Sequence, residues 1–370
     1  MTKVLFLIPN LAHGGAEKVL VNLANNMDKT KFDVTVQTLF DVGVNRQYLN
    51  SDVKYIGGFK RMPRGNTYVM KLFSSAKLYK HFIRDNYDII VSYLEGPTAR
   101  IVSGCTNPNT KLVSWIHIEQ HIKELASKSF RSYKEALDCY SKFDRTVCVS
   151  DTVKDDFESI FDTKKPVEVL YNTNESEKIK KLSDEKVDDV NFSKDIINII
   201  SVAKIVPSKG YDRLMKIHKK LIEKNIKNHI YILGIGEEKE KYEKYLAENN
   251  LTDTFTFLGY RDNPYKYVKK ADLYVCSSRR EGFSTAVTEA LIVGTPVVST
   301  NCSGAYELLG ENNEYGIVTK NNEDALYEGI KKMLTTPNLL EAYAAKAKER
   351  GKAFSTEKTV KAVEEMLLSI

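Results

Sequence analysis

Residues 273–300, LYVCSSRREGFSTAVTEALIVGTPVVST, carry the reading of the fold. Leu273 to Cys276 is an apolar run of buried-strand length. A turn carrying Glu281-Gly282 follows, Ala286 to Val293 reads as a helix, and Pro296 to Ser299 is again strand-like. Strand, helix, strand in this order implies a parallel sheet with helices on its faces. The same alternation extends backwards through Ile196–Val202, His229–Gly234 and Thr254–Leu258 as strands, with Tyr211–Lys224 and Glu238–Asn249 as helices.

The first half repeats the pattern independently. Val4 to Ile8, Phe32 to Leu39, Asp88 to Ser92, Lys111 to Ile116 and Thr146 to Val149 have strand character. Val19, Leu20, Leu23, Ala24 and Met27 fall on one helical stripe. Between the halves, Glu175 to Asp195 is rich in Lys, Asp, Glu and Ser and reads as a surface connector with one exposed helix. The tail from Asn338 to Ile370 is helical in composition, interrupted near Gly351 to Ser355. The expected architecture is α/β: two Rossmann-like parallel-sheet domains, residues 1–174 and 196–354, joined by the linker 175–195. The last helix, 355–370, is expected to complete the first domain, because its stripe of Val360, Val363, Met366 and Leu367 must be buried.

At 370 residues the chain is long enough for two such cores. No stretch approaches the roughly 20 apolar residues needed to span a bilayer. The apolar start of MTKVLFLIPN lacks a basic leader and is expected to be a first strand. Five scattered cysteines show no zinc or redox spacing, which suits reduced thiols and a cytoplasmic setting.

Four places carry chemistry. Gly14-Gly15 ends a strand and opens a helix, where free amides favour an anion. A G-x-G-x-x-G pattern is missing there, which argues against a dinucleotide-dependent dehydrogenase. In EGFSTAVTE, Gly282 is in the turn, and the amides of Phe283, Ser284 and Thr285 sit at a helix N-terminus where they can hold a phosphate. Glu281 before the helix and Glu289 within it can accept sugar hydroxyls. Lys204 and Lys209 follow the strand at Ile196–Val202, on the edge where α/β sheets bind ligands, and suit a diphosphate. His117 ends the strand KLVSWI. His121 stands four residues on, but no third ligand is apparent, so no metal site is expected.

Together these segments resemble glycosyltransferase family 4, whose members retain anomeric configuration and share the GT-B fold. The resemblance runs through PNLAHGGAEKVL, His117, Val149-Ser150, Tyr171-Asn172, SVAKIVPSKGYDRL, FLGYRDNPYKY and the E-x7-E pair Glu281 and Glu289, followed by Gly304 and Glu307. It implies two domains facing across a cleft, with the sugar nucleotide mainly on the second. Glu289 is then the ribose ligand, Glu281 a donor-sugar ligand, and Lys209 with Lys204 the diphosphate ligands. His117 is expected to reach the transferred sugar, Gly14-Gly15 to close beneath the phosphates, and Tyr260 to mark the backbone that meets the base. The catalytic set is therefore His117, Lys209 and Glu281. Lys204 departs from the family's usual Arg, and lysine lacks the planar two-pronged fork. Thr356 stands where the family commonly has Trp.

The implied reaction moves a hexose or N-acetylhexosamine from a nucleotide-sugar, by family frequency a UDP-sugar, to a lipid-linked or growing surface-glycan acceptor. Without a D-x-D pair, metal independence and no cofactor are expected, and no nucleic-acid partner. A catalytically silent nucleotide-sugar-binding partner and a sugar-nucleotide epimerase are the alternatives. Finally, Val53 to Arg84 holds eight basic residues and no Asp or Glu. Within it, Tyr68 to Ile83 reads as one amphipathic helix, either packed on the core or facing an anionic membrane surface at the inner face of the plasma membrane.

Overall fold

The computed structural model describes residues 1–12 and 14–370; His13, inside the PNLAHGGAEKVL segment, lies outside them. The chain divides into two compact units, Met1–Asn174 with Thr356–Ile370, and Glu175–Ser355. Each is built on one parallel sheet.

The sheet of the first unit contains β1 (Thr2–Ile8), β2 (Phe32–Thr38), β3 (Lys54–Ile56), β4 (Ile89–Ser92), β5 (Lys111–Ile116), β6 (Arg145–Cys148) and β7 (Val167–Val169). Their spatial order is β3-β2-β1-β4-β5-β6-β7. Val4 to Ile8 of β1 is wholly buried, as a continuous apolar run in the middle of a two-faced sheet should be. In the second unit β8 (Ile197–Val202), β9 (Asn228–Leu233), β10 (Phe255–Gly259), β11 (Leu273–Cys276), β12 (Val297–Thr300) and β13 (Ile317–Thr319) lie in the order β10-β9-β8-β11-β12-β13. Ile199, Ile230, Ile232, Leu273 and Val275 form its core with Leu214, Ile217 and Leu221 of the helix Tyr211–Glu223. The two-domain α/β expectation thus describes the molecule. Strands β3, β7 and β13 were not anticipated, because three residues are too few to display a period.

Two local expectations change. The connector at 175–195 contains the helix Ser176–Ser183, whose Ile179 is buried against Tyr265 and Ile292 of the second unit, so it is not an exposed helix. The supposed single helix from Tyr68 to Ile83 is two, Asn66–Met70 and Ser75–Phe82. Ser74 starts the second by accepting a hydrogen bond from the Lys77 amide at 3.3 Å. Its stripe is not simply core either: Leu78 is buried, but Tyr68, Val69, Leu72 and Phe73 face solvent.

The final helix, Thr356–Leu368, clusters with the first unit. Val360, Val363, Met366 and Leu367 are buried. Thr356 Oγ1 donates to the Asn174 carbonyl at 2.8 Å, and Glu364 accepts from the Asp28 amide at 2.6 Å. Fully burying four such side chains is worth roughly 1.5–3 kcal/mol each, a large fraction of a typical domain's stability. A chain truncated after Ser355 is therefore expected to lose cooperative unfolding of the first unit or to aggregate. A truncated protein with unchanged urea and thermal midpoints would contradict this placement.

Candidate active site

In the second unit, sheet order makes the site. The strands β8 and β11 are neighbours in space although 70 residues separate them in the chain, and the connections leave them in opposite directions along the sheet. That reversal leaves a crevice at the carboxyl ends of the two strands. Lys204 and Lys209 follow β8; Ser277 to Glu289 follow β11.

The two loops are stitched together closely. Gly210 has φ +68°, and a Cβ there would lie 2.1 Å from the Ser277 carbonyl oxygen, so only glycine fits. The buried Arg213 donates to the Ser277 carbonyl from Nε (2.9 Å) and Nη2 (2.5 Å), and to the Ser278 carbonyl at 2.6 Å. Ser277 Oγ donates back to the Lys209 carbonyl at 2.8 Å. Arg279 grips Asp212 through two bonds of 2.7 Å, and its amide donates to the Ser208 carbonyl at 2.7 Å. Arg213, Asp212 and Arg279 were missed from sequence; SKGYDRL and SSRREGF contain them, but nothing local says that the two segments meet.

The result is a partly buried ion pair. Lys209 Nζ sits 2.7 and 2.8 Å from the two Glu281 oxygens, and Ser278 Oγ donates to one of them at 2.5 Å. The expected catalytic cation and carboxylate are thus brought together. Lys204 is exposed and makes no ion pair among the described residues. The helix Thr285–Val293 opens beside them, with Ser284 as N-cap accepting from the Val287 amide at 3.3 Å. Ser284 therefore uses its hydroxyl for the cap, and its carbonyl accepts from the Thr288 amide at 3.1 Å and the Thr288 hydroxyl at 2.9 Å. Phe283 is buried and packs edge-on against Phe354, with centroids 5.9 Å apart. Gly304, at φ +74°, leaves the room that the Phe283 ring needs. Glu289 is 7 % exposed, on a helix whose other buried residues are Val287, Thr288, Ala290, Leu291 and Ile292. Tyr260 follows Gly259 on the rim and is exposed. Gly282 is partly exposed in the turn between Glu281 and Phe283.

In the first unit His117 ends β5. Its amide donates to Glu95 Oε2 at 3.0 Å, and its ring packs on Tyr93 at 4.8 Å and stacks with Trp115 at 6.4 Å. Nε2 is buried and has no hydrogen-bond partner among the described residues. Burial pushes the imidazole pKa down to about 3, so the ring is neutral at physiological pH. Gly14 and Gly15 open the helix Gly15–Asn26 as expected, but the space above Gly14 is not open: the Glu17 carboxylate fills it, where a Cβ would be 1.8 Å away.

The fold also supplies what the sequence did not show near His121. Glu119, His121 and Asp156 present ligand atoms within 4.8 Å of one another. Asp156 already accepts from the amides of Gln120 at 2.6 Å and His121 at 3.0 Å. It thereby holds His121 at its positive φ of 64°. Its carboxylate is a loop clamp in this arrangement.

The neutral His117 has a consequence for stability. Above about pH 6.5 it contributes no pH dependence; as pH falls below that value the unfolded chain binds a proton that the native chain refuses. Stability is expected to drop from about pH 6.5 downwards, and His117→Asn should make that drop shallower. Urea unfolding at several pH values checks it; an unchanged slope in the variant would contradict the burial.

With this geometry in place, comparison with known proteins is informative. The model of glycosyl transferases group 1 matches residues 183–350, and that of glycosyltransferase family 4 matches residues 13–174. An uncharacterized glycosyltransferase of Methanocaldococcus jannaschii is 30% identical over 290 residues, 68% of this chain and 70% of that protein. The N-acetylgalactosamine-N,N'-diacetylbacillosaminyl-diphospho-undecaprenol 4-alpha-N-acetylgalactosaminyltransferase of Campylobacter jejuni is 27% identical, with 97% of each chain covered. Among solved structures, Anabaena HepE in complex with UDP has a TM-score of 0.77 at 17% identity, with both chains fully covered. The sucrose-phosphate synthase of Thermosynechococcus elongatus has a TM-score of 0.80 at 14% identity, covering 100% of this chain and 99% of that one. The structural likenesses show the two-domain GT-B fold. The chain belongs to glycosyltransferase family 4 and is a glycosyltransferase.

Proposed function

We propose that the chain is a retaining, metal-independent transferase that moves a hexose or N-acetylhexosamine from a UDP-sugar to a lipid-linked glycan acceptor. The observation that carries this reading is the Lys209–Glu281 pair beside the N-terminus of the helix Thr285–Val293, with the buried Glu289 one turn inside it. A cation and a row of backbone amides suit a diphosphate. A carboxylate at this place on the helix has the acceptor oxygens to take both hydroxyls of a ribose diol.

Each residue then has a task. Lys209, with Lys204, neutralises charge growing on the leaving diphosphate; this electrostatic help is felt most in the transition state. Glu281 holds a hydroxyl of the donor sugar, and its contact with Lys209 holds both side chains in place before the donor arrives. Neutral His117, with an unused Nε2, is assigned to the transferred sugar. The acceptor oxygen bonds to the anomeric carbon on the face that the diphosphate leaves. The carbon–oxygen bond to phosphate breaks, and the acceptor proton passes to the departing phosphate oxygen. Configuration is kept without a protein nucleophile, and positioning supplies much of the rate.

The choice of UDP draws on HepE, solved with UDP, UDP and glucose, and UDP-glucose. The lipid-linked acceptor and the N-acetylhexosamine draw on the Campylobacter jejuni relative, whose name specifies a diphospho-undecaprenol acceptor. Metal independence draws on the cationic character of the diphosphate site: among the described residues, the grouping able to hold a metal is Glu119, His121 and Asp156 of the first unit, whereas Lys204 and Lys209 belong to the second.

Glu289→Ala is expected to weaken UDP binding by about tenfold or more, since a hydrogen bond to a charged group is worth about 1.5–3 kcal/mol. Calorimetry with UDP checks it, and unchanged affinity in a folded variant would remove Glu289 from the site. Transfer from a UDP-sugar is expected to continue undiminished in chelator. Activity that vanishes in chelator and returns with Mg²⁺ or Mn²⁺ would overturn the metal-free reading.

A further inference from the structure

Residues 59–73, FKRMPRGNTYVMKLF, break the usual rule for apolar side chains in the first unit. Six of the thirteen large hydrophobic side chains that are exposed among the described residues fall here: Phe59, Met62, Tyr68, Val69, Leu72 and Phe73. Leu72 is 78 % exposed and Tyr68 66 %. Single exposed hydrophobics are ordinary, but a run of this density marks a surface that meets something apolar.

The segment is held at both ends. Phe59 is tied to the end of β2 by its amide donating to the Leu39 carbonyl at 2.9 Å, while its own carbonyl accepts from the Asp41 amide at 2.8 Å. Its ring stacks on His81 and meets Phe82 edge-on, each at 5.9 Å. At the other end, Arg100 is buried inside the unit and paired with Glu135 at 2.9 Å. It donates to the carbonyls of Met70 at 2.9 Å and Phe73 at 2.7 Å. Arg131 adds a bond to the Lys71 carbonyl at 2.6 Å. These cations satisfy the last carbonyls of the short helix Asn66–Met70 and the turn after it, as a helix C-terminus requires. Spending two arginines on the backbone of an exposed apolar segment fixes Tyr68, Val69 and Leu72 in an outward-facing position.

The charge on this surface selects the occupant. Lys60, Arg61 and Arg64 are exposed around Met62, Lys71 lies 5.4 Å from the Tyr68 ring, and no Asp or Glu occurs between Val53 and Arg84. Lysine and arginine with interspersed Tyr, Leu, Met and Phe is the composition that enters the headgroup layer of an anionic bilayer: cations meet phosphate, and apolar tips enter the acyl boundary. A protein partner would be expected to cover the apolar area without requiring so uniform a charge.

We infer that residues 59–73 form an anchor that docks the first unit on an anionic lipid bilayer. This rests on the patch alone and not on the donor or acceptor assigned above, so its test uses no sugar nucleotide. The full chain is co-sedimented with phosphatidylcholine vesicles and with phosphatidylcholine–phosphatidylglycerol vesicles across a rising salt series. Tight, salt-sensitive binding is expected only where phosphatidylglycerol is present. Replacing Lys60, Arg61 and Arg64 with Ser should weaken that binding by roughly a hundredfold, about fivefold for each charge. Val69→Ser with Leu72→Ser should weaken it at every salt concentration. All these side chains are exposed, so circular dichroism and thermal midpoints of the variants should match the parent. Equal binding to both vesicles, binding to neither, or full binding by either variant overturns the proposal.

Discussion

The contact that the second unit depends on is between two backbones: Gly210 lies against the Ser277 carbonyl at a distance that excludes any side chain. This close approach lies at the reversal of strand order between β8 and β11. It places Lys209 on Glu281, lets Arg213 reach two carbonyls at once, and points both loops out of the same sheet edge. A larger residue at position 210 would move one loop off the other and separate the ion pair, because the facing atom is backbone and cannot rotate away.

Electrostatics within the site follow from that packing. Lys209 and Glu281 are each less than a quarter exposed, so their mutual attraction is stronger than on an open surface, but not so buried that desolvation dominates. Arg279 and Asp212 form a second pair on the outer side and brace the first. Lys204, exposed and unpaired among the described residues, contributes charge with little imposed geometry. The departure from arginine therefore removes a rigid fork from the one position where the fold does not supply an orientation of its own.

The first unit treats its polar groups differently. His117 is partly exposed, but its Nε2 is buried beside Tyr93 and Trp115, and its neutrality follows from desolvation rather than from a neighbouring charge. Arg100 is buried but fully engaged, by Glu135 on one side and by backbone carbonyls on the other. A buried cation without such partners would be strongly destabilising. Its partners here lie mainly in the segment that leaves Tyr68 and Leu72 in solvent, so the interior charge serves the shape of an exterior surface.

What the sequence determined by itself is what short-range physics encodes. Repeated apolar runs and helical stripes set two parallel-sheet units, since strand length and periodicity are local properties. The E-x7-E pair, the Lys-Gly loop and the strand-end His117 were legible as a family resemblance because their spacing along the chain is part of the motif. Tertiary structure decided the remainder. It split Tyr68–Ile83 into two helices, since Arg100 and Arg131 come from distant parts of the chain to satisfy carbonyls at 70, 71 and 73. It brought Asp156 to His121 and filled the space over Gly14 with Glu17. It also joined Lys209 to Glu281 across 72 residues, because which strands become neighbours depends on how whole helices pack on a sheet, and no local window of sequence contains that information.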